Sequence, residues 1–322
     1  SDVGMDTLPA TSPIGMFRRM EAINDGITDR QLHLMCRARE LHRIHHGVYL
    51  PYDVWDQADD LGRHLLLAKA IEMTHGPEIA LSHTSAALAH GLRLYKPDLS
   101  KVHISGAHAF HGRRSRHVSY HDSRLTGEPI IGAHGLRVVD PVRAALETAL
   151  VHDVRSGLVT LDSLLESGLG TREQMEAQYL KMAQWPGANH LQIAVRLARE
   201  GSGSVGESVC RYCFHRHGVP MPELQYPVYD QRGRLLGLSD FAWPKFGVLG
   251  EFDGRVKYDQ LRRPGESPED VVFREKQRED RMREATGWLM IRIVWADLQA
   301  PEQLAQRVLT QLDRGRRMRL AS

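Results

Sequence analysis

The chain has 322 residues, with 42 Lys+Arg against 40 Asp+Glu and a formal net charge of +2, so no global imbalance marks a nucleic-acid or membrane protein; such a partner has to be met by a local patch. Hydrophobic residues at 42% and charged residues at 25% exclude collagen, wholesale disorder and a disulfide scaffold. Three cysteines, Cys36, Cys210 and Cys213, are an odd count that points to a reducing cytoplasm. No apolar run approaches the roughly 18 residues of a membrane helix, and the start, Ser1 to Met5, lacks the basic-then-apolar order of a signal peptide. The expectation is a cytoplasmic α+β protein of several domains, with boundaries placed at 12–58, 59–200 and 201–322.

The first segment reads as a compact basic unit. Met16 to Ile23 has helical apolar spacing and stops at Asn24-Asp25-Gly26. Thr28 reads as the N-cap of a helix running from Asp29 to Arg39. Leu41 to Leu50 then alternates apolar and basic residues around Gly47, the pattern of a small two-stranded wing. Helix, turn, helix and basic hairpin is the order of a winged helix-turn-helix. Arg18, Arg19, Arg30, Arg37 and Arg43, with Thr28, Gln31, His45 and His46, form a candidate surface for double-stranded DNA. The plain alternative is a solvated helix face followed by an ordinary hairpin.

From 59 to 200 the composition turns Ala- and Leu-rich. Leu61–His75 and Ile79–His90 read as helices ending at glycines, Val102–Ser105 and His117–His121 as short strands, and Val142–Val151 as a helix, with Thr160 capping the next. Ser82-His83 suggests a nucleophile–base pair, but consecutive helical residues point about 100° apart, so capping and core packing is the expectation. Histidines 103, 108, 111, 117 and 121 show no ligand spacing, and scattered surface histidines are expected.

Gly201 to Ser204 reads as a flexible boundary. Beyond it the pattern is helix (Val205–His217), three strands, helix, strand, helix, with strands at Leu235–Trp243 and Phe246–Asp253 around a turn at Pro244-Lys245. Ser267-Pro268-Glu269-Asp270 opens a charged helix. Trp288–Trp295 reads as a buried central strand, Pro301–Leu312 as an amphipathic helix, and Arg314 to Arg319 as a basic tail. Cys210-Arg-Tyr-Cys213 with His215 and His217 looks like half a zinc site. One helical turn between the cysteines and no second ligand pair favour buried free thiols.

Acidic residues inside two apolar strands carry the chemistry. Glu251 and Asp253 share a strand face, and Asp240 falls opposite Leu249, diagonal to Glu251. Converging carboxylates repel unless a cation joins them, and hard oxygen ligands suit Mg²⁺ or Mn²⁺. Such a site fits phosphodiester hydrolysis, with Lys257 placed to bring positive charge. Acids sitting at strand ends in water, or paired with nearby arginines, are the alternative.

Glu207, Asp240-Phe-Ala-Trp-Pro244, Glu251-Phe-Asp253-Gly254, Glu275-Lys276-Gln-Arg278-Glu279 and Gly287-Trp288 occur in the order of motifs in the very-short-patch-repair (Vsr-like) endonucleases of the PD-(D/E)xK superfamily. The stretch 204–298 resembles that family. The resemblance implies a PD-(D/E)xK-like α/β domain, a metal-dependent endonuclease, and Asp240 and Glu251 as metal ligands. Asp253 stands where the superfamily has a lysine and Vsr enzymes a histidine, which leaves that role to Lys257 or to no residue. Tyr258 stands in place of a second histidine. Glu207 fits equally a metal ligand and the reaching-back glutamate of a capping box with Ser204. Gln225 also matches a position near the family's site.

The first two hundred residues resemble the abortive-infection antitoxins of AbiEi type. Thr28-Asp-Arg-Gln-Leu32 leading to His45-His-Gly-Val-Tyr49, Ser82-His-Thr-Ser-Ala-Ala87 with His90-Gly-Leu92, and Gly135 to Val138 before Asp140-Pro-Val-Arg143 carry the likeness. It implies promoter binding by a winged helix and, as partner, a nucleotidyltransferase toxin. Two functions follow as expectations: a DNA-binding endonuclease using Mg²⁺ or Mn²⁺, and a non-catalytic antitoxin or repressor whose nuclease domain has degenerated.

Overall fold

Two buried apolar neighbours, Met16 and Phe17, decide how the chain enters its first sheet. An extended backbone sends them to opposite sides, Met16 toward Val48, Leu50 and Ala70, while β1 (Phe17–Arg18) seats Phe17 opposite Tyr49. The predicted helix over 16–23 is therefore shortened to α1 (Arg19–Asn24), capped by Glu21, whose carboxylate accepts from the Arg18 N–H. Helix α2 (Asp29–Arg37) starts at Thr28 as expected and buries Leu32 and Met35. It stops two residues early because Arg39 turns left-handed, φ 59°, to enter β2 (Leu41–His45). Gly47, φ 69°, closes the hairpin to β3 (Val48–Pro51), and the sheet order is β1-β3-β2.

The chain is described here by a computed structural model covering residues 14–106, 115–121, 129–254 and 268–320. It is an α+β protein dividing into two units, one ending at Val151 and the other beginning at His152. The expected middle domain, 59–200, is split between them.

The first unit continues through α3 (Tyr52–Gln57) and α4 (Asp60–His75). It then departs from the sequence reading: 79–90 is not one helix but β4 (Ile79–Leu81), an extended Ser82, and α5 (His83–Ala89). Strands β5 (Val102–Gly106), β6 (Val118–His121), β7 (Ile130–Ile131) and β8 (Arg137–Val138) complete a mixed sheet of order β6-β5-β4-β8-β7, and α6 (Pro141–Val151) closes the unit. Ile79, Leu81, Val102, Ile104 and Val138 from the sheet pack against Ala68, Ile71 and Ala144.

In the second unit, α7 (Val154–Glu166) is capped by Asp153, so Thr160 lies inside the helix rather than at its start. Helices α8 (Arg172–Met182) and α9 (Ala188–Leu197) follow, then α10 (Val205–Arg216). Arg211 of α10 is 1% exposed and reaches Asp162 of α7, whose other oxygen accepts from the Arg199 N–H at 2.8 Å. The same guanidinium donates to the carbonyl of Leu197. A buried ion pair is kept only where such further bonds complete it. The expected boundary at 201–204 is thus tied down on both sides.

Strands β9 (Glu223–Tyr229), β10 (Leu235–Trp243) and β11 (Val248–Asp253) form an antiparallel meander. Helix α11 (Pro268–Thr286) crosses over to β12 (Leu289–Val294), parallel to β11. The order β12-β11-β10-β9 makes β12 an edge strand, not the central one expected. Its exposed Arg292 and Val294 alternate with buried Ile291 and Ile293. Helix α12 (Pro301–Leu320) includes the residues read as a basic tail. Phe214 of α10 packs edge-on against Phe241 and Trp243, while Met282 of α11 joins Ala242 and Leu249 on the other side.

Candidate functional site

Three elements of the second unit bring acidic chemistry together. Gly206 lets α10 press onto the sheet: a Cβ there would lie 2.0 Å from the Phe252 ring. That approach sets Glu207, 1% exposed, beside β9 and β10. Its carboxylate accepts from the Gly203 N–H at 2.8 Å and the Ser204 hydroxyl at 2.8 Å, while the Ser204 hydroxyl accepts from the Glu207 N–H. Ser204 caps α10, but the Glu207 carboxylate reaches the Gly203 N–H and the Ser204 hydroxyl in place of the Ser204 N–H that the expected capping box uses.

The amide of Gln225 donates to Glu207 Oε2 at 3.4 Å and to Asp240 Oδ1 at 3.4 Å. Glu207 therefore joins Asp240 as well as holding the start of its helix. Gln225 has φ 46°, a left-handed conformation that costs a non-glycine residue about 1 kcal/mol and marks a position fixed by its surroundings. Asp240, 6% exposed, accepts the Phe252 N–H through Oδ2 at 2.8 Å. The register Phe241↔Gly250 and Ala242↔Leu249 corrects the expected pairing: Ala242, not Asp240, faces Leu249, and the paired ladder ends at Phe241↔Gly250, with Asp240 and Glu251 each one residue beyond it.

Glu251 and Asp253 share a strand face as expected, but each has an arginine: Glu251 Oε2 is 3.4 Å from Arg278, and Asp253 is 3.7 Å from Arg292. Gly237 gives Arg278 its path; a Cβ there would lie 3.0 Å from the guanidinium. Among the described residues, the ligand atoms of Glu207, Asp240, Glu251 and Asp253 do not close into a group of three within 4.8 Å. Lys257 and Tyr258 lie outside the described residues. The buried thiol of Cys210 feels the acids: burial, then Cys213, then Glu207 and Asp240 push its pKa well above the ordinary range. Cys213 is pushed up to about 11 by burial, and both cysteines are free, as expected.

In the first unit, Arg18, Arg30, Arg37, Arg43 and His46 are exposed. Arg19 is already engaged, forking onto Asp29 through Nε and Nη2, and each partner holds the other charged. Thr28 and Gln31 cap α2 reciprocally. Arg43 meets His46 at 3.1 Å. His45 has its pKa lowered by burial and then by His75, His117, His46 and Arg43, which favours the neutral imidazole. Arg19, Asp29, His33, Arg43, His46 and Tyr49 line an open groove between α2 and the hairpin.

A third cluster escaped the sequence reading. Ser82 and His83 do meet, Oγ to Nδ1 at 3.0 Å, because they sit at a strand–helix junction rather than on a helix. His83, His103 and His121 bring one ligand nitrogen each within 4.8 Å of one another, the one such trio among the described residues. Two of the five histidines expected to be scattered thus converge; His108 and His111 lie outside the described residues. The signal that could have found His83 is the short apolar Ile79-Ala-Leu81 run before it, which fits a central strand.

No protein-family model matches the chain. Two curated proteins of Mycobacterium tuberculosis, Rv2248 of strain H37Rv and MT2308 of strain CDC 1551, each described as an uncharacterized protein, are 27% identical over 295 residues, covering 90% of this chain and 99% of theirs. The crystal structure of RV2827C protein from Mycobacterium tuberculosis matches 60% of this chain and 74% of its own at 16% identity and a TM-score of 0.37, a likeness too low to bear on function. No helix among the described residues is long and apolar enough to cross a membrane.

Proposed function

We propose that the protein binds double-stranded DNA through its first unit and is a metal-dependent endonuclease in its second, working in the cytoplasm, where free thiols such as Cys36, Cys210 and Cys213 persist. One observation carries the reading: the amide of Gln225 on β9 joins Glu207 of α10 to Asp240 of β10, with Glu251 one residue beyond the last position of β11 paired with β10. A helix cap needs no aspartate from a distant strand, and a strand pair needs no acids in its interior. Gathering acids in a folded interior costs several kcal/mol unless a cation or hydrogen-bond donors offset it.

Carboxylate oxygens are the donor type that a hard cation takes. Asp240 and Glu251, with Glu207, would hold Mg²⁺ or Mn²⁺, which when bound polarises a phosphate oxygen and acidifies water. The protein's own part is positional. Gln225 and the Phe252 N–H orient Asp240, Ser204 and the Gly203 N–H orient Glu207, and Arg278 holds Glu251 until nucleic acid competes for the guanidinium. Exposed Arg18, Arg30, Arg37 and Arg43 supply sequence-independent phosphate contacts.

The test is relaxation of supercoiled plasmid with and without Mn²⁺, comparing the full chain with Glu251→Ala and Asp240→Asn. Metal-dependent nicking by the parent and its loss in both variants is the expected result; equal activity in all three refutes the assignment. A second reading, a non-catalytic repressor or antitoxin countering a nucleotidyltransferase toxin, has its own observation. Glu251 and Asp253 each meet an arginine instead of closing a trio with Asp240. Promoter binding indifferent to metal, with no cleavage, favours it.

A further inference from the structure

The geometry points to a transition-metal site at His83, His103 and His121 in the first unit, with Zn²⁺ as the ion it fits best and Glu147 as the carboxylate behind it. The three side chains come from the β4–α5 junction, β5 and β6, so the sheet and not local sequence gathers them. Pairing of β5 with β6 puts Ser105 opposite His121 and His103 opposite Ser119, one diagonal apart. His103 Nδ1 lies 2.9 Å from His121 Nε2, and the His83 ring stacks on His121 with centroids 3.5 Å apart.

Simple packing does not ask for this arrangement. Stacked rings gain from any aromatic face, whereas here nitrogens converge within 4.8 Å. Two imidazole nitrogens at 2.9 Å share one proton between them, and a divalent ion replaces that proton with bonds to both rings. A tetrahedral site with Zn–N bonds near 2.05 Å needs nitrogens about 3.4 Å apart. Rotation of His103 and His121, both half-buried, brings them there, while His83, 4% exposed, is already fixed.

What fixes His83 resembles the support of a metal-binding histidine. Its Nδ1 lies 3.0 Å from the Ser82 hydroxyl and 3.4 Å from Glu147 Oε2, and its N–H donates to the same carboxylate oxygen. Glu147 is fully buried and anchored by Arg143 at 2.7 Å. With Nδ1 so held, Nε2 is the nitrogen that would take the ion, and a carboxylate behind the ring sets both tautomer and orientation. His83 adopts φ 50°, backbone strain that keeps the ring at the junction. Three imidazoles suit Zn²⁺ and its late first-row neighbours and are a poor set for Mg²⁺ or Mn²⁺, so the site is distinct in chemistry from the acidic one. Three protein ligands also leave a fourth position for water or an exchangeable group.

The experiment titrates Zn²⁺ into full-length, chelator-stripped protein against a chromogenic competitor, for the parent, His121→Asn, His103→Gln and Asp240→Asn. One tight Zn²⁺ per chain is expected in the parent and in Asp240→Asn. The two histidine variants are expected to bind more than about 100-fold more weakly, beyond what loss of a supporting residue produces. Unchanged affinity in His121→Asn, loss confined to Asp240→Asn, or no tight Zn²⁺ in the parent overturns the site. Should the histidine variants fail to fold, Co²⁺ bound to the parent decides: intense tetrahedral d–d bands support the site and their absence overturns it. Nuclease failure with intact Zn²⁺ binding would sink only the function proposed above.

Discussion

Replacing Gln225 by Ala tests the acidic site without touching a carboxylate. Each acid oxygen lies 3.4 Å from the Gln225 amide nitrogen, so Glu207 Oε2 and Asp240 Oδ1 are no more than about 7 Å apart; at an effective dielectric constant of about 20 two charges at that distance repel by about 2.4 kcal/mol. The amide's two N–H groups face that repulsion, and alanine leaves it unopposed while keeping the left-handed backbone. Gln225→Gly removes the amide too but relieves about 1 kcal/mol of strain, so it is the milder of the pair. Urea unfolding in the presence of chelator, arranged as a double-mutant cycle with Asp240→Asn, isolates the interaction. The expected loss in Gln225→Ala is about 2 kcal/mol, and it shrinks to under about 0.5 kcal/mol when Asp240 is already neutral. Additive effects of the two substitutions would refute the idea that Gln225 holds two acids together.

Gly206→Ala is expected to destabilise the second unit by about 1–3 kcal/mol or more, since its Cβ would lie 2.0 Å from the Phe252 ring; thermal melts check it, and an unchanged midpoint argues that α10 can back away. Arg30→Ala and Arg37→Ala should each lower the salt dependence of DNA binding by about one phosphate contact, measured by anisotropy across salt concentrations. Arg19→Ala should do less, because Arg19 already forks onto Asp29. Burial lowers the pKa of His64 below its ordinary 6.5, with the Leu99 carbonyl and Asp98 pulling the other way. The unfolded chain takes up a proton as the pH falls through 6.5 while the folded one resists, so stability is full above that pH and declines below it. His64→Asn should flatten the decline between pH 6.5 and 5 in pH-dependent melts, with His42 and His45, also lowered by burial, accounting for the remainder.

Where local chemistry decides an element, the sequence shows it. Thr28 with Gln31 announces α2, and Gly47 announces the hairpin. The mostly apolar run from Leu235 to Trp243 and the turn at Pro244 announce β10 and its partner. Readings failed where a longer-range partner wins. The stretch from Ile79 to His90 reads as one helix ending at a glycine, yet β5 and β8 claim Ile79–Leu81 as a central strand. That error put Ser82 and His83 on a helix and hid the histidine trio. The apolar stretch at 289–294 looks central but runs along the sheet edge, its outward side taken by Arg292 and Val294. At the acidic site Glu207, Asp240, Glu251 and Asp253 were all visible as candidates. The role of Gln225 was not, because a left-handed glutamine has no local signature and its two acid partners lie 18 and 15 residues away in sequence.

The link between Asp162 and Arg211 has a practical corollary for anyone dissecting the chain. A fragment beginning at Gly201 would keep every strand of the second unit's sheet and still strand a guanidinium in its interior, cut off from the carboxylate on α7 and the Leu197 carbonyl. Severing one half of such a pair typically removes 3–5 kcal/mol, a large share of what holds a domain this size together. The helices between 154 and 197 are therefore a foundation of the second unit's sheet and not a spacer before it, and a fragment starting near His152 keeps both partners of the pair.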